Sequence, residues 1–352
     1  MGVDLWMPFP GGAGLRPESV GGPAYVLLDG AEPRSLGGVL AWALRFQAGS
    51  VHLLVDSYAD VLARRAEPFN LPVTVWAVDM AEIVETVGRG FSQPPPLPAK
   101  DARWASVLRA AGVEPVVEFG VLRGEVLGLE VARAVDGRLD VGVGTQDQAF
   151  HRELEPGRAV EEVLAEVVAR VRRYRHADAP THLANTLACE RWLRHVLVSR
   201  PDLVGVAWLA PMPPAVPRRD LRTPNAAMAA GVDVDGMPVV VAASAGIDLD
   251  LVPAAADARR AAGLAGDCPA RSAQTTDSPG GSAAPESPQR PGGSAAPDSP
   301  SPERPPNAAA RLILAVPTGY DHPRIRQLAA LLREPAEVVI VATGWKALTD
   351  TL

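Results

Sequence analysis

The string most typical of an enzyme follows an apolar segment in the last third of the chain. Ala242-Ala243-Ser244-Ala245-Gly246 is one residue away from the G-x-S-x-G nucleophile elbow, in which a sharp turn between a strand and a helix exposes the serine. His322 lies downstream, where the histidine of a catalytic triad could be placed. Ser244 and His322 therefore predict a serine hydrolase as one alternative. Two features oppose it: residues 247–251 separate Ser244 from the next helical pattern, and His322 precedes a proline at a helix start.

Carboxylates that follow apolar strands form a second candidate site. Asp56 follows the strand-like residues 51–55, and Asp248 and Asp250 follow a strand that ends near Ala243. Ligands of open parallel sheets bind at the carboxyl ends of the strands, so these side chains are candidates to bind a ligand or a divalent metal. Aspartate is also a favoured capping residue of helices, which explains Asp56 without a ligand. Asp248 and Asp250 cannot both cap one helix, and they are the first choice for a ligand-binding site.

Glutamates in the middle of the chain form a third candidate site. Glu118 and Glu130 lie on neighbouring strand-like segments, and carboxylates on adjacent strands can hold Mg²⁺ as they do in nucleases. Strand alternation directs Glu130 inward beside Ala132, which makes it a candidate catalytic residue as well. The resulting alternative is a metal-dependent hydrolase, a nuclease or phosphoesterase, with Asp248 and Asp250 as further metal ligands. Mg²⁺ is the predicted cofactor under this alternative alone.

Composition narrows the classes of function. The formal net charge of -7 argues against a nucleic-acid partner and against an anionic membrane surface, because both need a basic protein surface. Of the 34 basic residues only Lys100 and Lys346 are lysines, and the excess of arginine, alanine, glycine and proline is typical of a GC-rich genome such as that of an actinobacterium. Lys100 follows a proline-rich loop and Lys346 lies near the C-terminus, so neither is predicted to take part in catalysis.

The cysteine count and the absence of membrane and signal patterns indicate the compartment and the partners. The chain has two cysteines, shows no apolar run of membrane-spanning length and begins without the pattern of a signal peptide. These features predict a cytoplasmic protein with no membrane partner. The favoured function is that of a ligand-binding or partner-binding protein without recognisable catalytic machinery, because each catalytic pattern lacks a residue or its structural context. The sequence does not identify the ligand or the partner.

The elements that must position these residues alternate between strands and helices. Apolar runs of strand length at 24–28, 51–55 and 73–78 are separated by helical patterns, which predicts a parallel sheet with crossover helices. Between residues 113 and 144, short strands joined by glycine-containing turns predict an antiparallel meander. The turn at Asp136-Gly137 is the strongest hairpin signal among them.

The same order of elements returns near the C-terminus once residues 277–306 are set aside. These residues contain Pro-Gly-Gly-Ser-Ala-Ala-Pro twice, at 279–285 and 291–297, and no large apolar side chain, which predicts a disordered insertion. The predicted fold is α/β, with two lobes of mostly parallel β-sheet, crossover helices, an antiparallel meander in the first lobe and the disordered insertion in the second. The predicted segments are an irregular arm at 1–22, a first lobe at 23–150, a helical pair and proline-rich linker at 151–224, a second lobe at 225–343 with the insertion at 266–308, and a tail at 344–352.

Deletion of residues 277–306 is expected to leave folding intact. The entropy of closing a loop grows only slowly with its length, so the shorter connection changes the free energy of unfolding little. The thermal midpoint of the deletion variant should equal that of the full chain in a calorimetric scan. A clear loss of thermal stability would contradict the interpretation of this segment as an insertion.

Overall fold

The computed structural model describes residues 6–80, 82–154, 157–179, 182–218, 220–264 and 310–351. The predicted insertion at 266–308 lies outside the described residues. The described chain forms three β-sheets of six, four and five strands together with helices, which confirms the α/β class. Within the described ranges, no helix combines the length and the apolar character needed to cross a membrane.

The first sheet is mixed, and the predicted mostly parallel sheet is wrong. Its elements are β1 (Trp6–Phe9), β2 (Gly12–Leu15), β3 (Pro23–Leu28), α1 (Leu36–Arg45), β4 (Ser50–Val55), α2 (Ala59–Ala66), β5 (Val73–Asp79) and β6 (Glu82–Thr86). Strands β3, β4 and β5 are parallel, whereas β1, β2 and β6 pair antiparallel with their neighbours. Strands β1 and β2 form a hairpin inside the segment predicted as an irregular arm. They are only four residues long and rich in Gly and Pro, so they lack a recognisable strand pattern.

The meander forms a sheet of its own and does not extend the first sheet. Its elements are α3 (Ala99–Ala102), α4 (Trp104–Ala110), β7 (Glu114–Glu118), β8 (Val121–Val126), β9 (Leu129–Val135), β10 (Arg138–Val141), α5 (Gly144–Leu154) and α6 (Val160–Tyr174). The four strands are antiparallel, and the predicted turn at Asp136-Gly137, with positive φ at both residues, joins β9 to β10. The apolar stripe of α6 shares a core with these strands, separate from the core of the first sheet.

The third sheet is formed by the C-terminal part of the chain. Its elements and those that precede it are α7 (Leu183–Thr186), α8 (Cys189–Ser199), a 3₁₀ helix (Pro201–Val204), β11 (Trp208–Met212), β12 (Ala227–Val232), β13 (Pro238–Ala243), α9 (Leu251–Leu264), β14 (Arg311–Pro317), α10 (Pro323–Ala330), β15 (Ala336–Val341) and a second 3₁₀ helix (Trp345–Thr351). Strands β13, β14 and β15 are parallel, whereas β11 and β12 are antiparallel to their neighbours. This sheet is therefore also mixed, contrary to the prediction.

The first and third sheets are built from the same succession of elements. In each, two antiparallel strands lead into three parallel strands that are joined by two helices. We call β1 to β5 with α1 and α2 unit 1 (residues 6–79), and β11 to β15 with α9 and α10 unit 2 (residues 208–341). The meander and α8 lie between them in the sequence. The chain thus contains two topologically equivalent units of different sequence.

A short β-bridge shows how the two units are related. Phe69 follows α2 in unit 1, Leu332 follows α10 in unit 2, and the two residues pair with each other in antiparallel fashion. Two reciprocal backbone hydrogen bonds flank the bridge, from Asn70 N to Leu331 O (2.7 Å) and from Arg333 N to Pro68 O (2.9 Å). The equivalent segments of the two units therefore meet across an approximate two-fold axis.

Helices α1, α2, α9 and α10 lie between the sheets of the two units and share one apolar core with both. The core includes Val26, Leu53 and Val75 from the first sheet, Leu40, Leu62, Ala255 and Ile325 from the helices, and Val240 and Leu314 from the third sheet. The helices approach closely at Gly37, where a Cβ atom would lie 2.3 Å from the carbonyl oxygen of Leu249. Glycine is required at this position because a side chain would collide with the backbone of the other unit.

Buried ion pairs join the helices of the two units inside this core. Asp257 of α9 accepts two hydrogen bonds from Arg64 of α2, both at 3.0 Å, and lies 3.7 Å from Nε of Arg65. Asp257 is fully buried and the two arginines nearly so. Removing one member of such a group leaves the others charged and unpaired in a low dielectric.

Replacing Asp257 by asparagine should therefore destabilise the protein strongly. We expect Asp257→Asn to lower the free energy of unfolding by about 3–5 kcal/mol, because the buried Arg64 loses the carboxylate that it pairs with and Arg65 keeps Asp250 alone. The matched control is Asp29→Asn at an exposed position, which should change stability by less than about 0.5 kcal/mol. Urea denaturation followed by circular dichroism measures both values. Equal stabilities of the two variants would show that the pairs do not hold the units together.

Candidate functional site

The aspartates that the sequence favours for ligand binding lie between the two units. Asp250 accepts two hydrogen bonds from Arg65, at 2.9 and 3.3 Å, and Asp248 accepts one from Arg34 at 2.7 Å. Both aspartates are buried, and burial raises the pKa of Asp250 to about 6 against the lowering effect of Arg65. The cavity beside them has a volume of about 10 Å³, which has room for about one water molecule. Backbone N–H groups complete these contacts, with Asp250 N donating to Asp248 at 2.9 Å and Gly37 N donating to Asp250 at 3.4 Å. Both carboxylates are thus bound by arginines of unit 1 and by backbone amides.

Asp56, the third predicted ligand-binding residue, holds a neighbouring loop. Its carboxylate accepts hydrogen bonds from the backbone N–H groups of Gly30 and Ala31, at 2.8 and 3.0 Å, and from the hydroxyl of Ser57 at 2.9 Å. The bonds from Gly30, Ala31 and Ser57 lower the pKa of this carboxyl group. Asp56 therefore fixes the end of β3 beside the end of β4. It does not cap α2, which begins after Tyr58.

The predicted metal ligands Glu118 and Glu130 belong to a buried chain of alternating charges. Its members, in order of contact, are Arg194, Glu125, Arg191, Glu118, Arg123, Glu130 and Arg133. Glu118 lies 2.6 Å from Arg191, and Glu130 lies 2.8 Å from Arg133. The carboxylates therefore face arginine side chains. Within the described part of the chain, no three His, Cys, Asp or Glu side chains are grouped so that they could hold a metal ion.

This chain of charges fixes α8 against the meander. Glu125 of β8 is fully buried between Arg191 and Arg194, which lie on consecutive turns of α8. Burial by itself raises the pKa of Glu125, but the charges of Arg194 and Arg191 outweigh it, so the net pKa is lowered. The carboxylate stays ionised at neutral pH and holds the helix. The position of α8 matters because the same helix also covers unit 2.

Ser244 and His322 each make a local structural contact. Ser244 is buried directly after β13, and its hydroxyl donates a hydrogen bond to the carbonyl of Gly246 at 3.0 Å. His322 caps α10, since its Nδ1 accepts a hydrogen bond from the N–H of Arg324 at 3.1 Å. Helix α9 begins only at Leu251, so the turn after Ser244 differs from a nucleophile elbow, which leads directly into a helix.

A cleft lies at the carboxyl ends of the three parallel strands of unit 2. It has a volume of about 320 Å³, which is at the small end of the range of roughly 300–1,000 Å³ found for ligand pockets. Its lining residues are Ala177, Cys189, Ala245, Tyr320, Thr343, Gly344, Trp345, Lys346 and Ala347. Ala245, Tyr320 and Thr343 follow β13, β14 and β15, respectively, and Cys189 is the first residue of α8. The cleft thus occupies the edge of the sheet where α/β proteins bind ligands.

Lys346 is the charged residue among the described residues that line the cleft, and none of these lining residues is a carboxylate. Its ammonium group donates a hydrogen bond to the carbonyl of Asn185 at 3.3 Å. This ammonium nitrogen is 4.8 Å from the ring centre of Trp192, and the guanidinium carbon of Arg175 is 4.6 Å from the same ring. Burial lowers the pKa of Arg175 to about 10, so this residue stays charged at neutral pH. The N-terminus of α8 at Cys189 adds the positive end of a helix dipole.

The thiol of Cys189 is held in its neutral form. It lies 3.3 Å from the carbonyl oxygen of Thr186 and 3.6 Å from that of Asn185, and it can donate to either. Burial raises the pKa of this thiol, and the opposing effects of Lys346 and Arg175 are smaller. A neutral thiol is a poor nucleophile, because the thiolate is the reactive species. Cys189 therefore lacks the activation that covalent catalysis requires.

Trp345 and Lys346 of the cleft lie in the segment predicted as a tail. That segment forms a 3₁₀ helix in which Trp345 is buried and packs edge-on against Trp192, with ring centres 5.5 Å apart. Lys100, by contrast, forms an exposed pair with Asp136. The signal that could have revealed the site is a tryptophan next to a rare lysine, which is unusual in a solvated tail.

Comparison of the chain with protein-family models, with curated proteins and with solved structures finds no match. What the cleft binds must therefore be inferred from its own shape and charge.

Alkylation of Cys189 tests the state of its thiol. In a Cys268→Ser background, iodoacetamide should alkylate the folded protein roughly tenfold or more slowly at neutral pH than the protein unfolded in urea, because the thiolate fraction is suppressed. The rate for the folded protein should rise as the pH approaches the raised pKa. Peptide mass spectrometry measures both rates. Alkylation of the folded protein as fast as that of the unfolded chain would show an accessible, ordinary thiol.

Proposed function

We propose that this protein is a ligand-binding protein that holds a small anionic molecule, such as one bearing a carboxylate or phosphate group, in the cleft of unit 2. The observation that carries the proposal is a cleft at the strand carboxyl ends whose described lining residues include Lys346 and no carboxylate. An anion there gains attraction from the lysine and from the N-terminus of α8. Arg175 adds a fixed positive charge behind the cleft.

The same geometry favours binding without chemical conversion. Acid–base catalysis needs a group that can exchange a proton near neutral pH, and covalent catalysis needs an activated nucleophile. The cleft offers the neutral thiol of Cys189 and the hydroxyls of Tyr320 and Thr343. The buried hydroxyl of Ser244 donates its hydrogen bond to a backbone carbonyl. These groups can donate hydrogen bonds to an anion and fix its orientation.

Lys346 is the residue whose loss should weaken binding most. Titration of inorganic phosphate, succinate and citrate into the protein, followed by calorimetry and by tryptophan fluorescence, identifies which anion binds, since Trp345 lines the cleft. Lys346→Gln should raise the dissociation constant of that anion by roughly tenfold or more, because a charge-assisted contact is lost. Lys100→Gln is the matched control, since it removes the other lysine at an exposed site outside the cleft.

The salt dependence of anion binding and the protection of Cys189 from alkylation are two further tests. Added salt should weaken binding, because part of the attraction is electrostatic. The bound anion should also slow alkylation of Cys189, which lines the same cleft. Binding that is equal in the wild type and Lys346→Gln would contradict the proposal, as would failure of all three anions to bind.

A further inference from the structure

One face of the first sheet has no cover within the described residues. Helices α1 and α2 pack on the side of Val26, Leu53 and Val75, so alternate residues of each strand are directed to the opposite side. That opposite side, which we call the open face, carries Trp6, Pro8, Ala13, Leu15, Pro23, Tyr25, Leu27, Ser50, His52, Leu54, Thr74, Trp76, Val78, Ile83 and Glu85. Most of its members are apolar or aromatic, which is unusual for a solvated sheet surface.

The open face is both apolar and accessible. Tyr25, Leu27 and Ile83 have exposed fractions of 38%, 43% and 59%, respectively. The ring of Tyr25 stacks on that of His52, with centres 4.8 Å apart, and Nε1 of Trp76 donates a hydrogen bond to His52 at 3.3 Å. These contacts join the three side chains in a row across β3, β4 and β5. A rigid aromatic surface loses little conformational entropy when it is covered.

The equivalent face of unit 2 is buried against helix α8. The pairs Val26–Leu53 in unit 1 and Ala242–Leu314 in unit 2 lie on the helix sides of their sheets. Strand alternation, which places Tyr25, Leu27, His52 and Leu54 on the opposite side of the first sheet, therefore places Val241, Ala243, Ile313 and Ala315 on the opposite side of the third sheet. All four are buried in a core formed with Trp192, Leu193, Val196 and Leu197 of α8. The same surface is thus covered in unit 2 and open in unit 1.

We propose that the open face of the first sheet binds the same face of a second copy of this chain. Two such faces can stack as aligned sheets about 10 Å apart, as in β-sandwiches. Because both partners contribute the same patch, the resulting dimer has two-fold symmetry and leaves no further copy of the patch exposed.

The size of the face favours a sheet as its occupant. Six strands about 4.8 Å apart span about 29 Å, and strands of about five residues are about 17 Å long, which gives a face of about 500 Å². A dimer then covers about 1,000 Å² in total, which reaches the area that a specific interface needs. A single helix about 10 Å wide would cover only about a third of the width. In unit 2 the equivalent face needs α8 together with residues of the two 3₁₀ helices, Val204 and Trp345, as its cover. A second sheet of equal size covers the open face without further elements.

Sedimentation velocity at increasing protein concentration, up to about 100 μM, tests the proposal. The wild type should form a dimer of twice the chain mass of 36.9 kDa. Leu27→Glu should raise the dimer dissociation constant by roughly a hundredfold, because it places a charge in the centre of an apolar interface. Val234→Glu is the matched control, since Val234 is an exposed apolar residue in the β12–β13 turn of unit 2 and should leave the dimer intact.

Two further measurements keep the test decisive. Circular dichroism must show that Leu27→Glu remains folded; if it does not, Ile83→Glu on the edge strand β6 replaces it. High salt should leave the dimer unchanged, because the buried contact is apolar. A wild type that stays monomeric throughout the concentration range would overturn the proposal. A dimer that persists in a folded variant of the open face would overturn it as well, because the contact would then lie elsewhere.

Discussion

The constraint on which the rest of the structure depends is the layer of four helices shared by two sheets. The apolar sides of both sheets are buried against α1, α2, α9 and α10 in one shared core. Arginines of unit 1 and aspartates of unit 2 are paired inside this layer. Buried charges without a partner are costly, so these pairs specify which surfaces of the two units meet. The β-bridge between Phe69 and Leu332 fixes the same arrangement through the backbone.

The outer faces of the two sheets then decide where binding can occur. Helix α8 covers the outer face of unit 2, and its N-terminus closes one side of the cleft at the strand ends. The arginines of α8 that hold Glu125 and Glu118 tie this helix to the meander, so the meander positions one wall of the cleft. The outer face of unit 1 has no equivalent helix among the described residues and stays open. We propose that the cleft beside the covered face binds a ligand and that the open face is an association surface.

Local patterns predicted much of the fold from the sequence. The hairpin at Asp136-Gly137, the apolar stripe of α6 and the strand at 51–55 are confirmed, because each depends on neighbouring residues. The mixed character of the sheets was missed, since β1 and β2 are short and rich in Gly and Pro. Long-range pairing could not be predicted either. Asp250 pairs with Arg65, and the two residues are 185 positions apart in the sequence. Local patterns therefore do not reveal that the carboxylate of Asp250 already has a partner. For the same reason the sequence places Lys346 in a tail, whereas the packing of Trp345 against Trp192 holds it at the cleft.

Native-state hydrogen exchange, measured amide by amide over increasing urea concentration, tests the shared helix layer most directly. If one layer holds both units, the slowest amides of β4 and β14 open with the same free energy and the same dependence on urea, because each can exchange only when the whole layer separates. Opening of β4 at a clearly lower free energy, with β14 still protected, would contradict the account. That result would show two units that fold independently and meet only at a surface.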